Sequence, residues 1–231
     1  MNQELSQRLK EVAAFVPEET IVADIGTDHA YLPIYLVEQQ HVEKVIGSEV
    51  AEGPLDNARR NVKLAGLSSM IELRFGDGVQ TLSKDDHIDV ITIAGMGGKT
   101  ITSILADGLE KGILPVKRLV LQPNTDEWQV RFWLWQHGYR IQAERILHER
   151  KGTYEIIVAD YVGDKQDYTR EDIVFGPFLR QSAPSEWRKK YEQEAMNLKR
   201  ILQKIPPKTP RYYYVAHHLE EIEAMLHEYA G

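Results

Sequence analysis

Short apolar runs alternate with longer amphipathic segments along most of the chain. Five runs have the length of a β-strand, and they cover residues 20–26, 44–50, 70–76, 88–94 and 118–122. Segments with helical spacing of apolar residues precede the first run and separate most of the others. These segments are residues 1–16, 30–40, 53–65, 99–109 and 126–137. Strands that alternate with helices predict a parallel sheet with helices on both faces.

The alternation of strands and helices ends with two strand-like runs, residues 139–149 and 152–162. Only a short turn lies between them. Such a pair predicts a β-hairpin, so the sheet should end in antiparallel strands. Five parallel strands closed by a hairpin are typical of the sheet of S-adenosylmethionine-dependent methyltransferases, whereas dinucleotide-binding folds keep their last strand parallel. The predicted fold is therefore α/β, with a Rossmann-like, seven-stranded mixed sheet and an antiparallel terminal hairpin.

Beyond about residue 164 the apolar residues follow a coiled-coil spacing. One seam consists of Tyr191, Ala195, Leu198, Leu202 and Ile205. The other consists of Val215, Leu219, Ile222, Leu226 and Tyr229. Three prolines lie in the intervening segment 206–210, which a helix cannot cross. We therefore predict two domains: residues 1–164, with the mixed sheet, and residues 165–231, a helical, antiparallel, coiled-coil-like hairpin.

Composition excludes some chemistry and shows where the charge lies. The chain has no cysteine, so it can form neither a thiolate nucleophile nor a cysteine-ligated zinc or iron–sulfur site. Its net charge of −7 combines 17 basic and 25 acidic residues over 1–164, three of each over 165–183, eight basic and three acidic over 184–211, and four acidic over 212–231. An RNA partner would find its most basic surface on the first arm of the hairpin. The candidate phosphate contacts there are Lys189, Lys190, Lys199 and Arg200; the alternative is a solvated arm paired with the acidic one.

Hydropathy and spacing argue against several partners. No apolar run approaches the roughly 20 residues of a membrane-spanning helix, and residues 1–16 are too charged for a signal peptide. We therefore expect a cytoplasmic protein with no membrane partner. No histidine motif has the spacing of a metal site, so we expect no metal. We also expect a monomer, since no patch in the sequence argues for a dimer.

Polar and glycine-rich strings follow the predicted strands at their carboxyl ends, where open α/β sheets bind ligands. Gly26 allows a ligand to approach the backbone closely, and Asp28 stands where a dinucleotide fingerprint has its second glycine. A carboxylate there disfavours a pyrophosphate but tolerates a sulfonium cofactor, which has no phosphate. Glu49 ends the second strand 25 residues after Asp24, where an acid can accept hydrogen bonds from the two ribose hydroxyls of an adenosine; the alternative is a strand-end carboxylate that faces water.

Three further strings end the later strands. Asp77, between two glycines, can bond an adenine amino group or form an ordinary turn. The string 94–98 contains three glycines, which leave room for a cofactor on which Met96 could stack; a flexible turn is the alternative. The string 122–124 supplies amide donors and acceptors.

The strings ADIGTDHAYLP, GDG, TIAGMGG and LQPN, followed by a helical hairpin, resemble those of the bacterial tRNA (adenine-22-N1)-methyltransferase family, TrmK. The resemblance implies a class I methyltransferase domain, S-adenosyl-L-methionine as the methyl donor and N1 of an adenine in tRNA as the acceptor. It also implies that nine residues contact the cofactor: Asp24, Gly26, Asp28, His29, Glu49, Asp77, Gly78, Gly95 and Met96.

Adenine N1 carries a free lone pair, so its methylation requires positioning and stabilisation of positive charge more than a strong base. The candidate catalytic residues are Asp28 and Asn124. Asp28 could accept a hydrogen bond from the N6 amino group of the adenine, and Asn124 could hold the other polar edge of the same base. Methylation at C5 of a pyrimidine generally needs a cysteine thiolate, which this chain lacks. The alternatives are a methyltransferase for another nucleobase or a protein, and a non-catalytic cofactor- or RNA-binding module.

Overall fold

Seven strands form one mixed sheet in the computed structural model, which describes residues 5–150 and 152–229. The strands are β1 (Ile21–Ile25), β2 (Lys44–Glu49), β3 (Ile71–Phe75), β4 (Val90–Met96), β5 (Arg118–Pro123), β6 (Tyr139–Glu149) and β7 (Gly152–Tyr161). Their order across the sheet is β3-β2-β1-β4-β5-β7-β6. The first five are parallel, and β7 runs antiparallel to both β5 and β6. The predicted mixed sheet with its terminal hairpin is confirmed.

Helices follow most strands, as the spacing predicts. They are α1 (Gln7–Ala13), α2 (Tyr31–Gln39), α3 (Glu52–Leu64), α4 (Gly98–Lys111), α5 (Glu127–Gln136), α6 (Arg170–Phe175) and α7 (Pro177–Ser182). Short 3₁₀ helices cover Gly78–Thr81 and Lys84–Asp86. Helix α1 is shorter than the predicted segment 1–16, because Ser6 caps its start and Pro17 disfavours helical backbone just before it. Residues 1–4 of that segment, residue 151 of the hairpin turn and residues 230–231 lie outside the described residues.

Buried hydrophobic side chains form one group on each face of the sheet, because alternate residues of a strand point to opposite sides. In β1, Ala23 and Ile25 belong to the group that includes side chains of α4 and α5. Val22 belongs to the group that includes side chains of α1, α2 and α3. Because both faces are covered, the central strands are mostly apolar, with Asp24 and Thr92 as buried polar exceptions.

A buried ion cluster ties α6 and the start of α7 to the sheet. The fully buried Arg131 of α5 pairs with Glu144 of β6 at 2.7 Å and with Glu155 of β7. Its guanidinium also donates to the carbonyl oxygen of Val174 at 3.3 Å, while Glu144 accepts from the backbone N–H of Phe178 at 2.9 Å. The first of two compact units therefore extends to Phe178, beyond residue 164, because α6 is held by these contacts. The sequence pattern gave no sign of α6 or α7.

The second compact unit begins at Leu179 and contains α8 (Ser185–Leu202) and α9 (Pro210–Glu228). The two helices are antiparallel: the ring of Trp187 contacts that of Tyr229, and His218 bonds Glu194. The buried side chains of the pair are Trp187, Tyr191, Ala195, Val215, Leu219, Ile222 and Met225. The predicted helical hairpin is confirmed, with Met225 buried more deeply than the neighbouring Leu226. None of the helices within the described ranges is both long and apolar enough to cross a membrane.

Candidate active site

A cavity of about 510 Å³ opens at the carboxyl ends of β1, β2 and β4. Strand β1 lies between β2 and β4, so the order of the sheet reverses here, which is where open α/β sheets bind ligands. All nine residues that the resemblance assigns to the cofactor line this cavity: Asp24, Gly26, Asp28, His29, Glu49, Asp77, Gly78, Gly95 and Met96. The fold brings them together from four different loops.

The loop after β1 has an unusual backbone. Gly26, Asp28 and Ala30 have φ values of +76°, +49° and +59°, so three alternate residues are left-handed. The positive φ of Gly26 favours glycine, and a Cβ atom there would also press on the end of the flexible Met96 side chain. Aspartate tolerates this region better than most residues, whereas alanine does not. Such strained loops persist where the surrounding structure fixes them, and they cluster at functional sites.

Glu49 joins the ends of β1 and β2. One of its carboxylate oxygens accepts from the backbone N–H of Ala51 at 2.9 Å, and the other accepts from that of Asp28 at 3.2 Å. Each oxygen keeps a further lone pair that can accept a hydrogen bond from a ligand. The Asp28 side chain is 65% exposed, and its carboxylate lies 3.5 Å from Nε2 of His29. Backbone contacts thus hold the Glu49 carboxylate in place, whereas the Asp28 carboxylate remains largely exposed.

Asp24 is buried at the end of β1. It accepts a hydrogen bond from Oγ1 of Thr92 at 2.7 Å, and burial raises its pKa to about 6. The hydroxyl of Ser48, which also lines the cavity and is 1% exposed, has no hydrogen-bond partner among the described residues. A buried carboxyl and an unpaired hydroxyl beside a cavity are polar groups that a ligand can satisfy.

Gly95 interrupts the pairing of β4 with β5, whose register shifts between Ala94 and Met96. Side chains at the end of β5 bond its backbone instead. Its N–H donates to Oε1 of Gln122 at 3.0 Å, and its carbonyl accepts from Nδ2 of Asn124 at 2.7 Å. Asn124 is exposed and is not among the residues that line the cavity, unlike the nine above. Its contacts hold the glycine-rich loop in place.

Arg8 of α1 lines the cavity and was missed by sequence reasoning. Its guanidinium donates to Oε1 of Gln122 and lies 5.4 Å from the ring centroid of Tyr154. The start of α1 is fixed by Glu149, which accepts from the backbone N–H of Gln7 at 2.7 Å. Among the described residues that line the cavity, Arg8 is the one Lys or Arg, whereas four have carboxyl side chains. A lone arginine on an amphipathic helix carries no sequence signal for this position.

The four candidate phosphate contacts lie on α8, in the second unit. Lys189, Lys199 and Arg200 are exposed, whereas Lys190 is half-buried with its Nζ 5.5 Å from the ring centroid of Tyr191. Lys199 pairs across the hairpin with Glu223 at 2.7 Å. Within the described ranges, no group of three or more His, Asp or Glu side chains could hold a metal ion.

Comparison with known proteins identifies the family. The TrmK profile, described as tRNA (adenine(22)-N(1))-methyltransferase, matches residues 22–226. The chain belongs to the TrmK family. The tRNA (adenine(22)-N(1))-methyltransferase of Bacillus subtilis strain 168 is 39% identical over 212 residues, which cover 89% of this chain and 87% of the relative.

Two solved TrmK-like structures hold the cofactor or its product. The structure of Sp1610 from Streptococcus pneumoniae, in complex with S-adenosyl-L-methionine, is 38% identical with a TM-score of 0.88, covering 96% of this chain and 100% of the other. The structure of TrmK from M. capricolum, in complex with S-adenosyl-homocysteine, is 30% identical with a TM-score of 0.85, covering 96% and 97%. These similarities span both the sheet and the helical hairpin.

We predict that Asp24→Asn stabilises the ligand-free protein in a pH-dependent way. Because the pKa of Asp24 is about 6 in the folded protein, above its ordinary value of 3.8, the ionised carboxylate destabilises the folded state at high pH, and this loss shrinks as the pH falls. The variant should exceed the wild type in free energy of unfolding by about 1–3 kcal/mol at pH 8. At pH 5 this difference in free energy of unfolding should be smaller by about 1 kcal/mol.

Urea unfolding at both pH values measures this difference. Asp77→Asn is the matched control, since Asp77 lines the same cavity but is exposed. A gap that does not change with pH, or that Asp77→Asn reproduces, would contradict burial of Asp24 as the cause.

Proposed function

We propose that this chain transfers the methyl group of S-adenosyl-L-methionine to N1 of an adenine in tRNA. The observation that carries the proposal is the cavity at the reversal of strand order, in a TrmK-family chain whose S. pneumoniae relative binds S-adenosyl-L-methionine. The B. subtilis relative is a tRNA (adenine(22)-N(1))-methyltransferase. A cytoplasmic monomer that works without a metal is part of the same proposal.

The residues present fit this cofactor. A volume of about 510 Å³ lies within the range of about 300–1,000 Å³ that small-molecule sites occupy. The cavity offers an unpaired buried hydroxyl at Ser48 and a backbone at Gly26 that a ligand can approach closely. Its four carboxyl side chains and one guanidinium complement a ligand that carries a sulfonium, an ammonium and one carboxylate.

Position along the sheet suggests how each end of the cofactor is held. Glu49, at the end of β2, accepts hydrogen bonds from the ribose hydroxyls, and Asp77, after β3, accepts one from the adenine amino group. The amino-acid part then lies toward β4 and α1, where Asp24 attracts the ammonium and Arg8 binds the carboxylate. The remaining predicted contacts, from Asp28, His29, Gly78, Gly95 and Met96, line the wall between these ends.

The bound cofactor supplies an electrophilic methyl group. N1 of adenine needs no deprotonation, so the chain's residues orient the ring and stabilise the positive charge that it acquires. Asp28 is exposed at the cavity and can accept a hydrogen bond from the N6 amino group, which favours that charge. Asn124 remains our candidate for the other polar edge of the base. Its bond to the carbonyl of Gly95 also makes it a positioning residue for the loop.

We predict that Asp28→Asn lowers the single-turnover rate of methyl transfer on the order of 10²- to 10³-fold, because the charge on the ring loses its stabilising carboxylate. Asparagine tolerates the left-handed backbone of this position and keeps the backbone N–H that bonds Glu49, so affinity for S-adenosyl-homocysteine should fall far less than the rate. Asp56→Asn removes an exposed carboxylate on α3, outside the cavity, and serves as the control. Near-normal turnover of Asp28→Asn with normal cofactor binding would exclude this role.

We predict that Arg8→Ala weakens binding of S-adenosyl-homocysteine by about 10-fold or more, because the ligand carboxylate loses a charged partner. Binding of 5′-methylthioadenosine, which lacks the amino-acid part, should not change. Isothermal titration calorimetry with both ligands separates a carboxylate contact from a general effect on the cavity. Equal losses for the two ligands would show that Arg8 is needed for the shape of the site instead.

The function itself is tested with labelled S-adenosyl-L-methionine and an unmodified tRNA transcript, followed by mass-spectrometric mapping of the methylated nucleoside. We expect 1-methyladenine, and no product with a transcript in which adenine 22 is replaced by guanine. Label at N6, on a pyrimidine or in protein would refute the proposal and favour another acceptor. Cofactor binding without any transfer would favour a non-catalytic module.

A further inference from the structure

The positive charge of the helical hairpin is concentrated at one end. From residue 184 to 194, three basic side chains are balanced by three acidic ones. Between Glu194 and Glu220 the chain has no Asp or Glu, yet it contains five Lys or Arg residues. All five lie in residues 199–214, which we call the hairpin tip. The tip comprises the end of α8, the connecting loop and the first turn of α9.

Most of this charge is not neutralised. Lys199 pairs with Glu223, but Arg200, Lys204, Lys208 and Arg211 form no ion pair with any carboxylate in residues 5–150 and 152–229. Close to the tip the field is therefore that of a cationic surface, although the whole chain has a net charge of −7.

Two large aromatic side chains follow Arg211 in the first turns of α9. Tyr213 and Tyr214 are 60% and 74% exposed, far more than is usual for side chains of this size. Their backbone is fixed, since Thr209 caps α9 by accepting from the N–H of Tyr212 at 3.2 Å. The ring of Tyr213 also contacts that of Tyr212 edge-on, with centroids 6.1 Å apart. Both tyrosines therefore start from an ordered helix and leave much of their ring surface open to solvent.

We propose that the hairpin tip binds an unpaired stretch of the RNA substrate, an inference that rests on the proposed function. Lys204, Lys208 and Arg211 contact phosphates, and nucleobases stack on Tyr213 and Tyr214. Phosphate contacts alone need only positive charge, whereas stacking needs bases that are free of a duplex. The combination of unneutralised cations with exposed, anchored rings therefore selects a loop or another unpaired segment. RNA binding at this surface also accounts for the concentration of basic residues in the hairpin tip.

The experiment measures binding of full-length protein to a labelled tRNA transcript by fluorescence anisotropy at several salt concentrations. Lys208→Glu/Arg211→Glu is compared with Arg60→Glu/Lys63→Glu, which makes the same change in net charge at two exposed positions of α3 that do not line the cavity. Tyr213→Ala/Tyr214→Ala tests stacking. Binding of S-adenosyl-homocysteine and the thermal midpoint of each variant show whether the fold is intact.

We expect the tip charge reversal to weaken tRNA binding by at least about 10-fold and to reduce the slope of log affinity against log salt by about 1–2. The control reversal should have a much smaller effect. The tyrosine variant should weaken binding by about 10-fold without changing the salt slope. A single-stranded oligonucleotide should compete better than a duplex of equal length or than polyglutamate.

Equal losses from the two charge reversals would overturn the proposal, because only net charge would then matter. Unchanged affinity of the tyrosine variant would overturn it too, as would equal competition by polyglutamate. If these results appeared while the wild type still formed 1-methyladenine in tRNA, the proposed function would stand without the inference. If the wild type methylated no RNA, the proposed function would fail first.

Discussion

The reversal of strand order at β1 is the constraint on which the site depends. After β1 the chain adds β2 and β3 on one side and then crosses to place β4 and β5 on the other. The helices that follow β1 and β4 therefore pack on opposite faces of the sheet, and the loops that lead into them separate. The crevice between these loops becomes the cavity, and most of its lining residues lie at the end of a strand or near the start of a helix.

Several features of this cavity oppose folding and are retained within it. Burial of Asp24 disfavours its ionised form, and the hydroxyl of Ser48 is buried without a partner. Ala30 adopts a left-handed backbone that alanine disfavours. The sheet beneath is apolar and covered on both faces, so it can support a locally unfavourable edge. Such a division between a stable scaffold and a strained polar rim is common at sites that bind ligands.

Charge is distributed unevenly between the two units. The sequence up to residue 164 has an excess of eight acidic residues, whereas the hairpin tip contains five basic and no acidic ones. A polyanion is repelled by the first region and attracted by the second. If the substrate is tRNA, its encounter with the protein is therefore oriented before any base reaches the cavity, and both the attraction and the repulsion weaken as salt increases.

The sequence determined the sheet, its terminal hairpin, the helical hairpin and the strand-end strings, because strand and helix periodicities and glycine turns are local properties. It also indicated that residues such as Gly26 and Glu49 lie close together, since the carboxyl ends of parallel strands share one edge of the sheet. Only the tertiary structure decided that Arg8 reaches the same cavity. The spacing of apolar residues in α1 predicts a helix, but it does not say which distant strands that helix packs against. The contact of Asn124 with Gly95 likewise arises from a register shift between two strands. The extension of the first unit to Phe178 follows from an ion cluster whose members are far apart in the chain, and such contacts exist only once the strands have been brought together.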